Sequence, residues 1–184
     1  FHPGGEVSVD AVFRPRGGLP ILPRIGMRCG LPGDRTACRW FGSGPHENYE
    51  DRRSSAWTGI HEGTVASLFH RYTDPQEAGL RTGVRWLELA SPSGGGLSVR
   101  ATGGGLLGFA AIPVTLASLE AGRNAADLAP ADGIILRVDH RNTGLGGTNS
   151  WGQQPLPQYR LQPRGEYAWS FRMGTSVTPA PSEP

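Results

Sequence analysis

The stretch Leu80 to Ala111, LRTGVRWLELASPSGGGLSVRATGGGLLGFAA, decides the fold class of this chain. Residues 80–90 predict one long strand, and a turn follows it. Two shorter predicted strands, Leu97 to Ala101 and Leu106 to Ala111, flank a glycine run at 103–105. We interpret that run as a turn, because it matches no dinucleotide motif and no Lys follows it as in a phosphate-binding loop. Short apolar segments separated by glycine are typical of an all-β domain.

The same pattern continues on both sides of this stretch. Residues 6–13 alternate between apolar and polar side chains, which predicts a half-buried strand, and the β-branched residues 134–138 predict a buried one. Residues 159–161 and 166–171 predict the two strands of a final hairpin, and Thr115 is placed to cap a short helix. We therefore predict an antiparallel sandwich of roughly eight to ten short strands with one helical excursion near residues 115–128.

Two cysteines, Cys29 and Cys38, flank a hairpin signal. Residues 24–31 and 36–41 are predicted strands, and Gly33-Asp34 between them is typical of a two-residue loop. In that register Cys29 faces Cys38, so a cross-strand disulfide is conceivable. Two buried thiols are the favoured alternative, because cross-strand bridges strain the usual disulfide geometry.

Composition and charge exclude several classes of protein. All 18 Lys and Arg positions are Arg, which excludes Schiff-base and pyridoxal chemistry because both need an amine. The Arg residues are scattered, so no nucleic-acid partner is predicted. No apolar run reaches the ~18 residues of a membrane span, no signal peptide is visible, and two cysteines are too few for a zinc site. We expect no cofactor, no metal ligand and no membrane partner, and we favour a cytoplasmic location.

Five carboxylates are of the type that glycoside hydrolysis uses in pairs. They are Glu47, Glu50, Asp51, Glu77 and Asp139. Each lies beside an Arg or in a polar loop, which favours a solvated or ion-paired role, so we predict no catalytic residue among them. A sugar 1-epimerase would use a His and a Glu as acid and base, and His70 or His140 with Glu77 is a conceivable pair. No local pattern selects that pair, so structural histidines are favoured.

Trp151 is the strongest candidate for a binding residue. It lies in a Gly- and Asn-rich turn, where burial of an indole is awkward. A Trp on a loop presents a flat apolar face to the C–H surface of a sugar, and Asn149 offers polar atoms to the sugar hydroxyls. Packing of Trp151 on its own sheet is the alternative. The other tryptophans lie in or beside strand patterns and are predicted in the core: Trp40, Trp57, Trp86 and Trp169.

Three motifs occur one after another along the chain. They are WFGSGPHENY at 40–49 with Asp51-Arg52 after it, PQEAGLR at 75–81 with RWL at 85–87, and GLGGTNSWG at 144–152. They resemble the W-x-G-x-G-P-x-E-x-Y-x-D-R, P-Q-E-N-G-x-R…R-W-L and G-x-G-G-x-x-S-W segments of bacterial β-galactosidases of glycoside hydrolase family 2. The resemblance extends over about residues 6 to 172. One departure is Ala78, where the family usually has Asn, so a local turn contact is in doubt.

The resemblance implies the C-terminal, small-chain domain of a β-galactosidase, with a mutarotase-like antiparallel super-sandwich. That sandwich would occupy residues 1–173, lack an N-terminal part, and precede a Pro- and Ser-rich tail at 174–184. The family's catalytic glutamates lie in a separate TIM barrel, and its Mg²⁺ and Na⁺ ligands also lie in other domains. This chain alone is therefore expected to be inactive. The Trp of the S-W block stacks on bound sugar in the family, and it matches Trp151.

The expected function is that of a non-catalytic domain that helps a full enzyme hydrolyse terminal β-D-galactosides such as lactose. Its expected partners are the galactoside and the catalytic TIM barrel. A partial sandwich exposes strand edges and apolar surface, so the chain by itself is expected to self-associate. Two alternatives remain open. One is a stand-alone carbohydrate-binding or aldose 1-epimerase-like module, and the other is a purely structural assembly domain with Trp151 buried.

Overall fold

The computed structural model describes residues 1–176, and within them ten strands form two antiparallel sheets. The strands are β1 Val7–Phe13, β2 Arg24–Leu31, β3 Ala37–Gly44, β4 Trp57–Thr64, β5 Arg81–Val84, β6 Trp86–Ala90, β7 Gly96–Thr102, β8 Leu107–Val114, β9 Pro130–Asn142 and β10 Tyr167–Ser176. The larger sheet has the order β1-β10-β7-β6-β3-β4, and the smaller has the order β2-β9-β8-β5. The predicted antiparallel all-β sandwich is confirmed.

The main core lies between the two sheets. Along β3 every second residue is buried, which places Trp40 on the inner face, where its ring meets that of Phe109 from the smaller sheet at a centroid distance of 5.6 Å. Leu87 from the larger sheet and Leu136 from the smaller sheet belong to the same cluster, and both are fully buried. Burial of each such side chain stabilises the fold by about 1.5–3 kcal/mol, so this layer holds the sheets together.

A second apolar cluster covers the outer face of the smaller sheet. Helix α2, Leu116–Ala121, lies there, and Thr115 caps it by accepting a hydrogen bond from the Ser118 amide. Leu116 and Leu119 pack against this cluster, which includes the buried Ile112. A 3-10 helix at Ala125–Asp127 follows, which confirms the predicted helical excursion. The other helices are α1 Val65–Leu68 and a 3-10 turn at Pro157–Tyr159, and no helix in residues 1–176 is long and apolar enough to cross a membrane.

The predicted hairpin around Gly33-Asp34 is wrong. Strand β2 pairs with β9 in the smaller sheet, whereas β3 pairs with β4 and β6 in the larger one. The turn therefore carries the chain from one sheet to the other, because the apolar faces of β2 and β3 must approach the core from opposite sides. Cys29 and Cys38 both border that core as free thiols, and burial raises the pKa of the Cys38 thiol to about 12. The structure thus contains two free thiols, as the favoured alternative predicted, but only Cys38 is fully buried, and Cys29 is half-buried.

The single long strand predicted over residues 80–90 is also wrong. Strand β5 belongs to the smaller sheet and β6 to the larger, so the chain changes sheets at Arg85. The Arg85 amide donates a hydrogen bond to the Phe41 carbonyl of the larger sheet at 2.8 Å. Alternating burial looks the same along a strand that stays in one sheet and along two strands that cross between sheets, so the sequence pattern could not reveal the change.

The last part of the chain does not form the predicted hairpin. Strand β10 pairs instead with β1 on one side and β7 on the other. Leu161 makes an isolated bridge with Leu22 rather than pairing with β10. The register of β10 and β7 continues to Ser176, and the remainder of the predicted tail, residues 177–184, lies outside the described residues.

The predicted core tryptophans have different environments. Trp40 is fully buried as predicted, and Trp169 packs partly against the main core. Trp86 is half-buried beneath the Arg39 guanidinium. The prediction for Trp57 is wrong, since 61% of this residue is exposed. It lies on β4, the last strand of the larger sheet, and no strand within residues 1–176 pairs with the outer edge of β4.

Replacement of Leu87 by Ala tests the inter-sheet core. Because Leu87 is fully buried between the sheets, we predict that L87A lowers the free energy of unfolding by about 2–5 kcal/mol in urea titrations. The matched control is L106A, since 45% of Leu106 is exposed. Equal losses in the two variants would contradict the assignment of the core.

Candidate functional site

The loop that carries Trp151 leaves β9 from a fixed stem. The Thr143 amide donates to the Pro23 carbonyl at 2.9 Å, and its hydroxyl donates to the Leu22 carbonyl at 2.7 Å. The same hydroxyl accepts a hydrogen bond from the Leu161 amide at 2.9 Å. Thr143 therefore ties three chain segments together directly before the loop begins.

Asp51 binds the next part of the loop. One carboxylate oxygen of Asp51 accepts the Leu145 amide at 3.0 Å, and the other accepts the Gly146 amide at 2.8 Å. Gly144 permits this close approach, since a Cβ there would lie 2.5 Å from the Asp51 Cγ. Gly146 has a φ of +80°, a left-handed conformation that favours glycine. The glycines of the third motif therefore let the backbone wrap around a carboxylate.

The tip of the loop is organised by Asn149. Its Oδ1 accepts the amides of Trp151 at 3.0 Å and Gln153 at 3.3 Å, and its Nδ2 donates to the Gln153 Oε1 at 2.8 Å. The side chain predicted to bind sugar hydroxyls thus makes an Asx turn that fixes the backbone of Trp151. Trp151 itself is 91% exposed. A fixed backbone and a free indole face are what an aromatic platform for a ligand requires.

The loop that presents Asp51 is anchored by Asn48. Asn48 is fully buried, and its Nδ2 donates to the carbonyls of Ser43 and His46. Its Oδ1 accepts both the amide and the hydroxyl of Thr82, and its own amide donates to the Leu80 carbonyl. One amide side chain thus joins the first sequence motif to the strand that follows the second. A buried Asn in a polar loop gives no distinguishing sequence signal, which is why sequence reasoning did not single it out.

Glu47 makes a second connection between the first two motifs. Its Oε2 accepts the Gly79 amide at 2.8 Å, and its Oε1 accepts hydrogen bonds from Tyr72 and Arg52. Together, Asn48, Glu47 and Asp51 bring all three motifs to one end of the sandwich. The motifs are far apart in sequence, and the two-sheet fold places them side by side.

Comparison with known proteins agrees with this arrangement of motifs. The family model described as "Beta galactosidase small chain" matches residues 1–173. The chain belongs to the β-galactosidase small-chain family. The resemblance inferred from the three motifs is confirmed.

The relatives that match this chain are called beta-galactosidase. The chain is 31% identical over 169 residues to a beta-galactosidase of Priestia megaterium, covering 92% of this chain and 16% of the relative. It is 36% identical over 157 residues to one of Lactobacillus delbrueckii subsp. bulgaricus, covering 85% of this chain and 15% of the relative. A beta-galactosidase of Aeromonas hydrophila is 36% identical over 171 residues, with coverage of 91% and 16%. The chain therefore spans about a sixth of the length of these relatives.

The other candidate carboxylates of this small-chain domain are paired with arginines. Glu77 binds Arg24 and lies 3.1 Å from Arg137, and Asp139 lies 3.1 Å from Arg24. Burial raises the pKa of Asp139 to about 6, although Arg24 and Arg137 oppose that shift. The predicted ion-paired role of these residues is confirmed. Glu50 likewise lies 3.5 Å from Arg53.

The two histidines considered for an acid–base pair lie in other environments. The His140 ring stacks on Trp169 at 5.4 Å, and burial lowers the His140 pKa. His70 is exposed, and its ring lies at an angle of 71° to the Tyr72 ring, with a centroid distance of 4.4 Å. Neither ring makes a hydrogen bond with Glu77 in the part of the chain that the structure describes. His140 instead faces Trp169, and Glu77 faces Arg24 and Arg137, so no described contact brings these candidate groups together.

Metal-ligating residue types are also dispersed. Among residues 1–176, no group of three or more His, Cys, Asp or Glu side chains is arranged to hold a metal ion. Asp51, the carboxylate nearest to the Trp151 loop, instead uses both oxygens to accept backbone amides. This carboxylate is thus directed at the loop that carries Trp151.

Proposed function

We propose that this chain is the small-chain domain of an enzyme that hydrolyses terminal β-D-galactosides such as lactose, and that Trp151 stacks on the bound sugar. Trp151 supports this proposal most directly, because its indole is 91% exposed while its backbone is held by Asn149. An exposed aromatic ring on a backbone that is held in place can cover the apolar C–H face of a sugar. The names of its relatives supply the substrate class.

We further propose that the chain has no catalytic residues of its own. Glycoside hydrolysis requires two carboxyl groups that are free to exchange protons or attack the anomeric carbon. Here Glu47 and Glu77 bind arginines, and Asp51 accepts two backbone amides. Catalytic glutamates, as well as Mg²⁺ and Na⁺ ligands, would then be supplied by other domains, with a TIM barrel as the catalytic partner. The exposed state of Trp151 favours this function over an assembly domain that buries the indole.

Replacement of Trp151 tests the sugar contact in the intact enzyme. Loss of a stacking ring removes on the order of 1 kcal/mol of binding free energy, so we predict that W151A raises KM for a galactoside about fivefold or more. Folding of the domain should be unaffected, because the indole is exposed. The measurement is steady-state hydrolysis of a chromogenic galactoside, with urea unfolding in parallel.

The matched control for this experiment is W57A. Trp57 is also largely exposed, but it lies on the edge strand β4 rather than on the Trp151 loop. We expect W57A to leave KM near the wild-type value. An unchanged KM in W151A would reject the sugar-contact role.

We also propose that the isolated chain self-associates through β4. This strand ends the larger sheet, so its outer edge presents backbone donors and acceptors that no strand in residues 1–176 satisfies. Trp57 and Ile60 add apolar surface to the same strand, with exposures of 61% and 56%. An edge strand with exposed apolar side chains favours pairing with a second copy.

Light scattering after size exclusion measures this association. We predict that the apparent mass of the wild-type chain rises above 19.6 kDa as its concentration increases, and that I60K stays near that mass. A charged side chain on the edge opposes strand pairing, whereas L156K places the same charge on exposed surface outside β4. A wild-type chain that stays at the mass of one copy over the whole concentration range would contradict the proposal.

A further inference from the structure

The Trp151 loop, residues 143–153, belongs to no strand, so its shape depends on side-chain contacts. Asn149 fixes the tip of the loop, but its partners, Trp151 and Gln153, lie within the loop itself. Asn149 can therefore set the local turn without setting the direction in which the loop leaves the sandwich. That direction needs a contact from outside the loop.

Asp51 provides such a contact with both of its oxygens. Its carboxylate accepts the amides of Leu145 at 3.0 Å and Gly146 at 2.8 Å, across more than 90 residues of sequence. Hydrogen bonds to an ionised carboxylate are stronger than those between neutral groups, and two of them fix an orientation as well as a distance. None of the ion pairs within residues 1–176 includes Asp51, so its described interactions are directed at the loop.

The position of Asp51 is itself well defined. It lies in a tight turn closed by two hydrogen bonds between Tyr49 and Arg52, with N to O distances of 3.2 and 2.9 Å. Tyr49 is fully buried, as is Asn48 before it. The carboxylate therefore projects from a well-ordered turn of the sandwich. A change in the Asp51 side chain should then move the Trp151 loop rather than the turn.

Gly144, on the loop side of the contact with Asp51, leaves no room for a larger side chain. Its amide donates to the Tyr159 carbonyl at 2.8 Å, which holds the backbone against Asp51. A Cβ at this position would lie 2.5 Å from the Asp51 carboxyl carbon and one of its oxygens. Real contacts of this kind do not occur, so any larger residue must push the loop and Asp51 apart.

We propose that Asp51 is a positioning residue for Trp151, and that it sets the direction from which the indole meets the galactosyl group. This inference rests on the proposed sugar contact of Trp151. Asp51 itself touches backbone amides and not the sugar. Its effect on catalysis must therefore pass through Trp151 and vanish when the indole is absent.

The test uses D51N in the intact enzyme. Asn keeps the size of Asp but has one acceptor oxygen, so an NH₂ group must face one of the two loop amides. We expect KM for a galactoside to rise roughly as much as in W151A, and hydrogen exchange at Leu145 and Gly146 to become about tenfold faster. The control E50Q neutralises the neighbouring carboxylate, which faces Arg53 instead of the loop, and should change neither quantity.

A double-variant cycle separates positioning from general stability. In the D51N/W151A enzyme we expect KM to equal that of W151A, because Asp51 has no indole left to position. A further KM increase in the double variant would overturn the proposal, since Asp51 would then act by another route. G144A provides an independent variant that displaces the loop and leaves Asp51 unchanged, and we expect it to raise KM as D51N does.

The outcomes distinguish this inference from the proposed function. If W151A leaves KM unchanged, the sugar contact fails and the positioning role falls with it. If W151A raises KM while D51N and G144A do not, Trp151 keeps its role and only the positioning proposal is overturned. Faster exchange of the two amides together with coupled KM effects supports both.

Discussion

The arrangement of this site depends on the hydrogen bonds of the buried Asn48 side chain. Its amide satisfies two carbonyls of its own loop and accepts two hydrogen bonds from Thr82 on a neighbouring strand. A buried amide left without partners would cost about 1–3 kcal/mol per group, so this loop has a strong preference for one conformation. Asp51 lies three residues later in the same loop, so its position is fixed by the same hydrogen bonds. The Trp151 loop is in turn bound to Asp51.

Under the proposed function, this series of contacts lets the sandwich present Trp151 to a ligand from its surface. The core between the sheets fixes the strand ends, the first motif turns at one of those ends, and its carboxylate holds a glycine-rich loop from β9. The exposed indole is the last member of the series. Under the proposed function, the surface that completes the sugar site would come from another part of the intact enzyme.

Sequence reasoning was most successful for features that depend on local pattern. The strands at residues 6–13 and 134–138, the helix capped by Thr115 and the burial of Trp40 all follow from alternation or capping. The errors occurred where the chain changes sheets, at Gly33-Asp34 and at Arg85. A turn residue and an alternating pattern specify a reversal or a strand, but they do not specify which sheet receives the next strand.

The candidate site was predicted only in part for a similar reason. A Trp among small polar residues is a visible feature of the sequence, so Trp151 could be singled out. Asp51 could not, because it looks like any carboxylate in a polar loop until the fold brings it against residues more than 90 positions away. Asn149 was singled out for the sugar, whereas its described hydrogen bonds are with the loop that carries Trp151.

The most direct test of the central claim is the structure of the intact enzyme with galactose bound in its active site. We predict that one face of the Trp151 indole contacts the sugar's C–H surface, with carbon atoms within about 4.5 Å. We also predict that the Asp51 carboxylate still accepts the Leu145 and Gly146 amides in that complex. An indole packed against protein, with the sugar bound out of its reach, would contradict the account.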